Sequence, residues 1–213
     1  GHAMGEQASI EAFARDIVFL QQVGAKPIVV HGGGPQIGSM LARLKMESNF
    51  IDGLRVTDQQ TISIVEMVLA GAINKSLVAS ISAAGGMSVG ISGKDGNLII
   101  AKKLSHRTKD TDSAIENLVD LGYVGIPDKV DKKVLDALLG VNMIPVVAPL
   151  GLGADGQTYN INADTAAGSI ASALNASRLL MLTDVDGVLD DNGKLIPRLS
   201  TAQAKQLILN GVI

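Results

Sequence analysis

The segment VVHGGGPQIG, residues 29–38, constrains the fold more than any other part of the sequence. A β-branched run ends there in three consecutive glycines, and an amphipathic pattern begins directly after them. A glycine contributes no side-chain packing and loses more conformational entropy on folding than other residues. Three in a row therefore indicate that backbone atoms must be accessible at this position. The segment therefore predicts a strand, a glycine-rich turn and a helix, with unshielded backbone N–H groups at the turn.

Hydrophobic periodicity extends this alternation along the chain. Helical spacing of apolar residues covers residues 6–24, 35–45, 59–84, 131–139, 163–174 and 201–209. Short apolar runs predict strands at residues 26–30, 87–91, 98–101, 142–148 and 178–182. We interpret residues 87–101 as a hairpin around the GKDGN turn. Strands connected through helices favour one α/β domain, residues 1–213, with an open, mainly parallel sheet sandwiched between helices.

Composition limits the class of protein. The 213 residues are 46% hydrophobic and 18% charged, which indicates a globular chain. Aromatic residues make up 2% and the net charge is −3, so neither base stacking nor a basic surface supports nucleic-acid binding. There is no cysteine, and apolar runs such as residues 179–182 have strand length. We expect a cytoplasmic protein without nucleic-acid or membrane partners.

The glycine-rich turn predicts an anion site. In open α/β sheets, ligands bind beyond the carboxyl ends of strands, where helix N-termini offer N–H groups and a positive dipole end. A tight turn that only allows close helix–strand packing is the alternative. The segment matches neither the P-loop nor the dinucleotide-binding fingerprint. His31 before the glycines is also typical of the oxyanion loops of some esterases. Such an enzyme needs a GxSxG serine elbow as well, which we do not identify, so we do not expect an esterase.

Three further segments carry polar side chains that are suited to bind a ligand or a metal ion. Arg55 lies in GLRVTD, residues 53–58, where it suits a bidentate carboxylate contact or a pair with a surface acid. YNINAD, residues 159–164, carries Asn162, a predicted helix N-cap, and leaves Asn160 and Asp164 unexplained by capping. TDVDGVL, residues 183–189, indicates either a magnesium site or an Asp-rich turn.

Taken in order, VVHGGGPQIG, DGLRVTD, NINAD and TDVDGVL closely resemble the amino acid kinase family over essentially the whole chain. GLRVT and NINAD point to the members that act on N-acetyl-L-glutamate in arginine biosynthesis. The resemblance implies transfer of the γ-phosphoryl group of MgATP to the side-chain carboxylate of that substrate. It also implies an αβα sandwich with an N-terminal substrate lobe and a nucleotide lobe that starts near residue 150.

The resemblance also assigns roles to residues. Gly32, Gly33 and Gly34 would receive the acceptor carboxylate and the moving phosphoryl group, while Arg55 and Asn160 would hold the amino-acid substrate. Asp164 resembles the family's catalytic organiser of lysines. The residues expected in the nucleotide pocket are Thr183, Asp184, Val185, Asp186, Gly187, Val188 and Leu189. A carboxylate nucleophile needs no general base, so His31 is interpreted as structural and catalysis as positioning and charge neutralisation.

The resemblance further implies truncation at both ends. Family members place one catalytic lysine before the segment GHAM, residues 1–4, and a second beyond residue 211. We therefore interpret GHAM as native sequence and expect negligible turnover from these 213 residues. Lys75 and Lys94 are expected to be solvated and not to replace the two lysines.

The sequence also permits other functions and partners. One alternative is a non-catalytic amino-acid-binding or regulatory module of the same fold, and another is a glutamate or aspartate kinase. The resemblance implies a homodimer or a higher homo-oligomer. A nitrogen-signalling regulator protein is a further candidate partner.

Overall fold

The computed structural model describes residues 7–109, 116–183 and 185–212, so the segment GHAM and Asp184 lie outside the described residues. The helices are α1 (Gln7–Gln22), α2 (Gly34–Arg43), α3 (Gln59–Glu66), α4 (Asn74–Ala83), α5 (Lys133–Gly140), α6 (Ala163–Ala173) and α7 (Thr201–Leu209). The strands are β1 (Val29–Val30), β2 (Phe50–Ile51), β3 (Leu54–Arg55), β4 (Ser88–Ser92), β5 (Ile99–Lys109), β6 (Glu116–Val130), β7 (Ile144–Ala148), β8 (Leu150–Gly153) and β9 (Thr158–Ile161). A π-helical segment, Met67–Ile73, joins α3 to α4.

Side-chain caps fix where several helices begin. Asp58 accepts a 2.7 Å hydrogen bond from the backbone N–H of Thr61 and so starts α3. Ser200 and Gln203 form a reciprocal capping box at α7. These caps satisfy backbone donors that a helix leaves unpaired at its N-terminus, and they explain why the predicted helix limits agree with the observed ones.

The central sheet is parallel, with strand order β1, β7, β4. Every residue of β7 is buried, as expected for a strand covered by helices on both faces. Val146 packs in a cluster with Ala14 of α1 and Leu77 of α4, whereas Val147 packs in a cluster with Leu135 of α5 and Ile170 of α6. The predicted parallel sheet between two helical layers is confirmed.

A second sheet is mixed and closes on itself. Strand β5 pairs antiparallel with β6 and parallel with β8, and β9 joins β6 to β8. The predicted hairpin at residues 87–101 is therefore wrong, because β4 pairs in parallel with β7 over five residues while β5 belongs to the other sheet. A 3-10 turn, Asp95–Asn97, carries the chain between the sheets, and Asp95 fixes it by accepting from both the backbone and hydroxyl of Ser92.

The strand predicted at residues 178–182 is also absent from the described structure. Leu179, Leu180, Met181 and Leu182 are between 44% and 69% exposed. A strand forms only where a neighbouring strand completes its hydrogen bonds, and this segment pairs with none of the strands in the described ranges. Its apolar sequence alone therefore did not determine its conformation.

The continuous helix Gln59–Ala83 crosses the core. It has 25 residues and a mean hydropathy of 1.6, so by length and composition it is apolar enough to span a membrane. Val65 and Leu69 nevertheless pack beside α2, and Leu77 and Ile81 pack in the cluster that contains α1. Core helices of globular proteins commonly meet the same criterion, and this helix provides the apolar surface on which the glycine-rich turn rests.

Candidate functional site

The glycine-rich turn connects β1 to α2 at the carboxyl end of the parallel sheet. Gly33 precedes α2 in an extended conformation, and Pro35 occupies the first turn of the helix. No side chain in the described part of the chain caps this helix. Within the described residues, the backbone N–H groups of Gly32, Gly33 and Gly34 donate to no protein acceptor. The turn thus presents unpaired donors at the positive end of a helix dipole.

Two of the glycines differ in the space around them. A Cβ on Gly33 would lie 2.4 Å from Cδ1 of Ile73 and 2.7 Å from Cδ2 of Leu69, so the backbone rests directly on the π-helical segment. A Cβ on Gly34 would meet nothing within 4 Å. Close packing therefore accounts for Gly33, whereas Gly34 borders open space beside the unpaired donors.

Arg55 lies next to this turn. Strand β3 places its guanidinium so that Nη2 donates to the carbonyl oxygen of Gly34 at 3.0 Å, while Nη1 donates to the hydroxyl of Ser48. The guanidinium also lies 4.5 Å from the ring centroid of Phe50. Arg55 is only 8% exposed, and this burial lowers its pKa.

The charge of Arg55 is not neutralised by an acid in the described part of the chain. Its contacts there are a hydroxyl, a carbonyl and an aromatic ring, and it forms no ion pair with a described carboxylate. The alternative of a pair with a surface acid thus finds no support there. A guanidinium has five N–H donors, so several remain for a ligand. A buried cation beside a helix N-terminus favours a bound anion.

His31 and Asn74 lie beneath the turn. His31 is 3% exposed, and its Nδ1 lies 3.0 Å from the carbonyl oxygen of Gly32. Its Nε2 lies 3.2 Å from Nδ2 of Asn74, which is fully buried. Burial lowers the pKa of His31 to about 4, so the ring is neutral at pH 7. These contacts agree with the interpretation of His31 as structural.

The esterase alternative does not fit the structure. The sequence Gly-Met-Ser-Val-Gly, residues 86–90, matches the serine elbow pattern, a match that sequence reasoning missed. Ser88, however, is the first residue of β4, and its hydroxyl donates to the carbonyl oxygen of Val78 at 3.1 Å. A nucleophile elbow requires the serine at a strand-to-helix turn, which this residue does not occupy.

The segment YNINAD spans the end of β9 and the start of α6. Asn162 accepts a 2.9 Å hydrogen bond from the backbone N–H of Thr165, which confirms the predicted cap. Asn160 is half-buried in β9, opposite Leu150 of β8. Asp164 is exposed in the first turn of α6. In the described residues neither Asn160 nor Asp164 bonds directly to Arg55 or to the glycine-rich turn.

Residues 183–189 lie in an exposed segment, with Asp184 outside the described residues. The hydroxyl of Thr183 donates to the carbonyl oxygen of Val185 at 2.8 Å. Leu189 pairs with Leu195 in a short hairpin, whose turn is held by the carboxylate of Asp190. Among the residues that the structure describes, no three His, Cys, Asp or Glu side chains form a metal-binding group. The contacts form the predicted turn into a hairpin and leave the carboxylate of Asp186 exposed.

Lys94 has partners that the sequence did not indicate. Its Nζ lies 2.7 Å from Oε1 of Glu66 and 2.8 Å from the hydroxyl of Thr158. Lys75 donates to the carbonyl oxygen of Gly90 at 2.8 Å. The expectation of a simply solvated side chain is wrong for Lys94, whereas Lys75 is exposed as expected. The partners are distant in sequence, so no local pattern could have shown these contacts.

Comparisons with known proteins agree with this arrangement. The family model of the amino acid kinase family matches residues 1–213. The chain is 60% identical over 213 residues to the acetylglutamate kinase of Gluconobacter oxydans, covering all of this chain and 72% of that relative. The acetylglutamate kinase of Acidiphilium cryptum is also 60% identical, with coverage of 100% and 71%.

Solved structures of other proteins share the fold of this chain. The crystal structure of smu.665 from Streptococcus mutans has a TM-score of 0.78 at 30% identity, with 94% of this chain and 76% of that chain covered. N-acetylglutamate synthase from Neisseria gonorrhoeae, solved with coenzyme A and N-acetyl-glutamate, has a TM-score of 0.76 at 27% identity, covering 95% and 44%. A carbamate kinase from Giardia, at 16% identity, shares the fold with a TM-score of 0.68. This chain belongs to the amino acid kinase family.

Proposed function

We propose that this chain serves the ATP-dependent phosphorylation of the side-chain carboxylate of N-acetyl-L-glutamate, a step in arginine biosynthesis. The product is an acyl phosphate. The proposal is supported by the acetylglutamate kinases at 60% identity, whose length this chain spans to about 70%. It is also supported by the anion-binding chemistry of the glycine-rich turn and Arg55.

The observation that carries the proposal is the burial of Arg55 without a described carboxylate partner, directly against Gly34. A dicarboxylate suits this pair of anion-binding features, since one carboxylate can bind the guanidinium while the other reaches the N–H groups of the turn. The N-acetyl group removes the positive charge of the amine. The described contacts of Arg55 include no acid that would favour a free amine, which supports the acetylated substrate over glutamate or aspartate.

The geometry suits catalysis by positioning. The substrate carboxylate is ionised at neutral pH, so it attacks the phosphoryl group without a general base. Neutral His31 is engaged in hydrogen bonds and need not move a proton. The N–H groups of Gly33 and Gly34 and the dipole of α2 are suited to stabilise negative charge on the acceptor and on the phosphoryl group as it moves.

The nucleotide side of the proposal involves the second half of the chain. We assign residues from about 150 onward to a nucleotide lobe, with Thr183, Asp186 and their neighbours in the nucleotide pocket. Asp164 organises the catalytic centre and Asn160 holds the substrate. Kinases usually bind Mg²⁺ through substrate phosphates and one or two carboxylates, so an exposed aspartate such as Asp186 suffices in place of a protein cage. Bound Mg²⁺ would neutralise phosphate charge.

The remaining assignments concern the cellular context. We propose a single domain, a cytoplasmic location and a homodimer or a higher homo-oligomer. A nitrogen-signalling protein is proposed as a regulatory partner. These assignments rest on the family resemblance and on the acetylglutamate kinase relatives, not on a contact in this structure.

Calorimetric titration of the 213-residue chain with N-acetyl-L-glutamate tests the proposal. We expect saturable binding that is at least tenfold weaker in Arg55→Ala, because the variant removes the cation that holds one carboxylate. Arg198→Ala is the matched control, since Arg198 is exposed and lies outside the site. L-glutamate should bind more weakly than the acetylated ligand. Equal binding of N-acetyl-L-glutamate by wild type and Arg55→Ala would reject the proposed site.

A further inference from the structure

Asn74 connects the long core helix to all three strands of the parallel sheet. It is the first residue of α4, directly after the π-helical segment, and it is fully buried. Its Nδ2 lies 2.9 Å from the carbonyl oxygen of Val146 in β7 and 3.3 Å from that of Ile91 in β4. The same nitrogen lies 3.2 Å from Nε2 of His31, which follows β1.

These contacts fix the tautomer of His31. The carbonyl oxygens of Val146 and Ile91 only accept hydrogen bonds, so the atom of Asn74 that faces them is its amide nitrogen. That nitrogen has two N–H groups for three neighbouring acceptors and cannot itself accept, so a proton on Nε2 of His31 would find no acceptor there. The carbonyl oxygen of Gly32 beside Nδ1 also only accepts, so the ring proton resides on Nδ1. Nδ1–H donates to the carbonyl oxygen of Gly32 at 3.0 Å. The neutral ring that this arrangement requires agrees with the lowered pKa of His31.

The hydrogen bond to Gly32 determines the direction of the next N–H group. The described chain contains no cis peptide bond, and in a trans peptide the carbonyl and the N–H point in opposite directions. A Gly32 carbonyl held toward the His31 ring therefore turns the N–H of Gly33 away from the ring. That N–H has no acceptor among the described residues. Packing of Gly33 against Leu69 and Ile73 limits its movement.

We propose that His31, held by Asn74, is a positioning residue that orients the Gly32–Gly33 peptide so that the Gly33 N–H receives the acceptor carboxylate. The inference rests on the proposed function for the identity of that carboxylate. His31 does not touch the ligand. It acts through the peptide that it holds, and Asn74 acts through His31. Without the hydrogen bond from His31, the glycines at positions 32 and 33 would leave this peptide free to rotate.

Two variants separate the two ring contacts of His31. In His31→Asn, the amide nitrogen lies about where Nδ1 lies and can still donate to Gly32. In His31→Gln, the longer side chain reaches toward Asn74 and places no donor beside Gly32. The carbonyl ¹³C shift of Gly32 reports its hydrogen bond in the free protein, and calorimetry reports the affinity for N-acetyl-L-glutamate. Thermal unfolding reports the structural effect of each variant.

We expect His31→Asn to keep the Gly32 carbonyl shift and an affinity within about threefold of wild type. His31→Gln should lose the shift and bind about tenfold more weakly, in line with one lost positioning hydrogen bond. An unchanged shift and affinity in His31→Gln would overturn the inference. The inference would also be overturned if both variants lost affinity in proportion to their loss of thermal stability, because His31 would then have a merely structural role.

The wild-type protein provides a test that needs no variant. Long-range ¹⁵N–¹H correlation of His31 should show a proton on Nδ1 and none on Nε2, and the opposite tautomer would overturn the inference. Absence of N-acetyl-L-glutamate binding by the wild-type chain would instead refute the proposed function. In that case the Gly32 carbonyl shifts of the free proteins still decide whether His31 holds the peptide.

Discussion

The guanidinium of Arg55 donates a 3.0 Å hydrogen bond from Nη2 to the carbonyl oxygen of Gly34, in the first turn of α2. This contact joins a buried cation to the helix end that carries unpaired backbone donors. The two residues are 21 positions apart in sequence and belong to different elements. Their contact brings the GLRVTD segment and the glycine-rich turn into one anion-binding site.

Replacement of Arg55 by lysine should weaken N-acetyl-L-glutamate binding by about tenfold or more. Lysine keeps the positive charge but lacks the planar fork that contacts a carboxylate through two nitrogens. Its three donors also come from a single nitrogen, so it does not reproduce the separate contacts of Nη1 with Ser48 and Nη2 with Gly34. Calorimetry of Arg55→Lys beside Arg198→Lys measures the effect, and retained affinity in Arg55→Lys would show that charge alone is sufficient.

Alanine substitutions at Gly33 and Gly34 should differ in their effects on stability. Gly33→Ala must displace the ends of Ile73 and Leu69, and we expect a loss of about 1–2 kcal/mol in the free energy of unfolding. A methyl group on Gly34 meets no atom within 4 Å outside its chain neighbours, which removes a packing penalty, but Pro35 directly after it disfavours a helical alanine. We therefore expect Gly34→Ala to change stability by no more than about 1 kcal/mol. Denaturant unfolding measures both variants.

Gly34→Ala should nevertheless weaken ligand binding, because its methyl group enters the open space beside the unpaired N–H groups. A variant that folds with a stability close to that of wild type but binds less N-acetyl-L-glutamate separates function from folding. Undiminished affinity in Gly34→Ala would place the ligand elsewhere.

Acidification should destabilise the protein through His31. Its pKa falls from 6.5 to about 4 in the folded state because burial disfavours the charged ring. Between these values the unfolded state binds the proton and the folded state does not, so stability is present above pH 6.5 and is lost as the pH falls toward 4. From pH 7 to pH 5 the loss amounts to about 2 kcal/mol. Urea unfolding of wild type and His31→Asn at both pH values isolates this contribution, which the variant should lack.

Asn162→Ala should lower stability by about 1 kcal/mol, since it removes the N-cap of α6. Asp164→Ala is the matched variant in the same helix turn. Asp164 is exposed and makes no hydrogen bond or ion pair within the described ranges, so its loss should change the unfolding midpoint little. Thermal unfolding compares the two, and equal destabilisation would assign Asp164 a structural role.

Local signals in the sequence predicted the elements that depend on local chemistry. The glycine-rich turn, the Asn162 cap and the helix at Thr201–Leu209 were all confirmed, because turn and cap residues act on their own neighbours. The parallel sheet followed from buried β-branched strands such as Ile144–Ala148. The family motifs added the identity of the fold, and the family match confirmed it.

Features that depend on distant partners were missed. Residues 88–92 look like one arm of a hairpin, but β7 offers them a parallel partner more than fifty residues away. The apolar run at residues 179–182 has strand composition, and strand formation depends on a neighbour that no local pattern reports. The contacts of His31 with Asn74, 43 residues apart, were equally invisible.

The central claim is that the glycine-rich turn and Arg55 form the binding site for N-acetyl-L-glutamate. Titration of ¹⁵N-labelled protein with this ligand tests it most directly. The account predicts saturable shifts concentrated on the amides of Gly32, Gly33 and Gly34 and on the Nε–H of Arg55. Saturable shifts confined to other parts of the chain, or none in the folded protein, would contradict it.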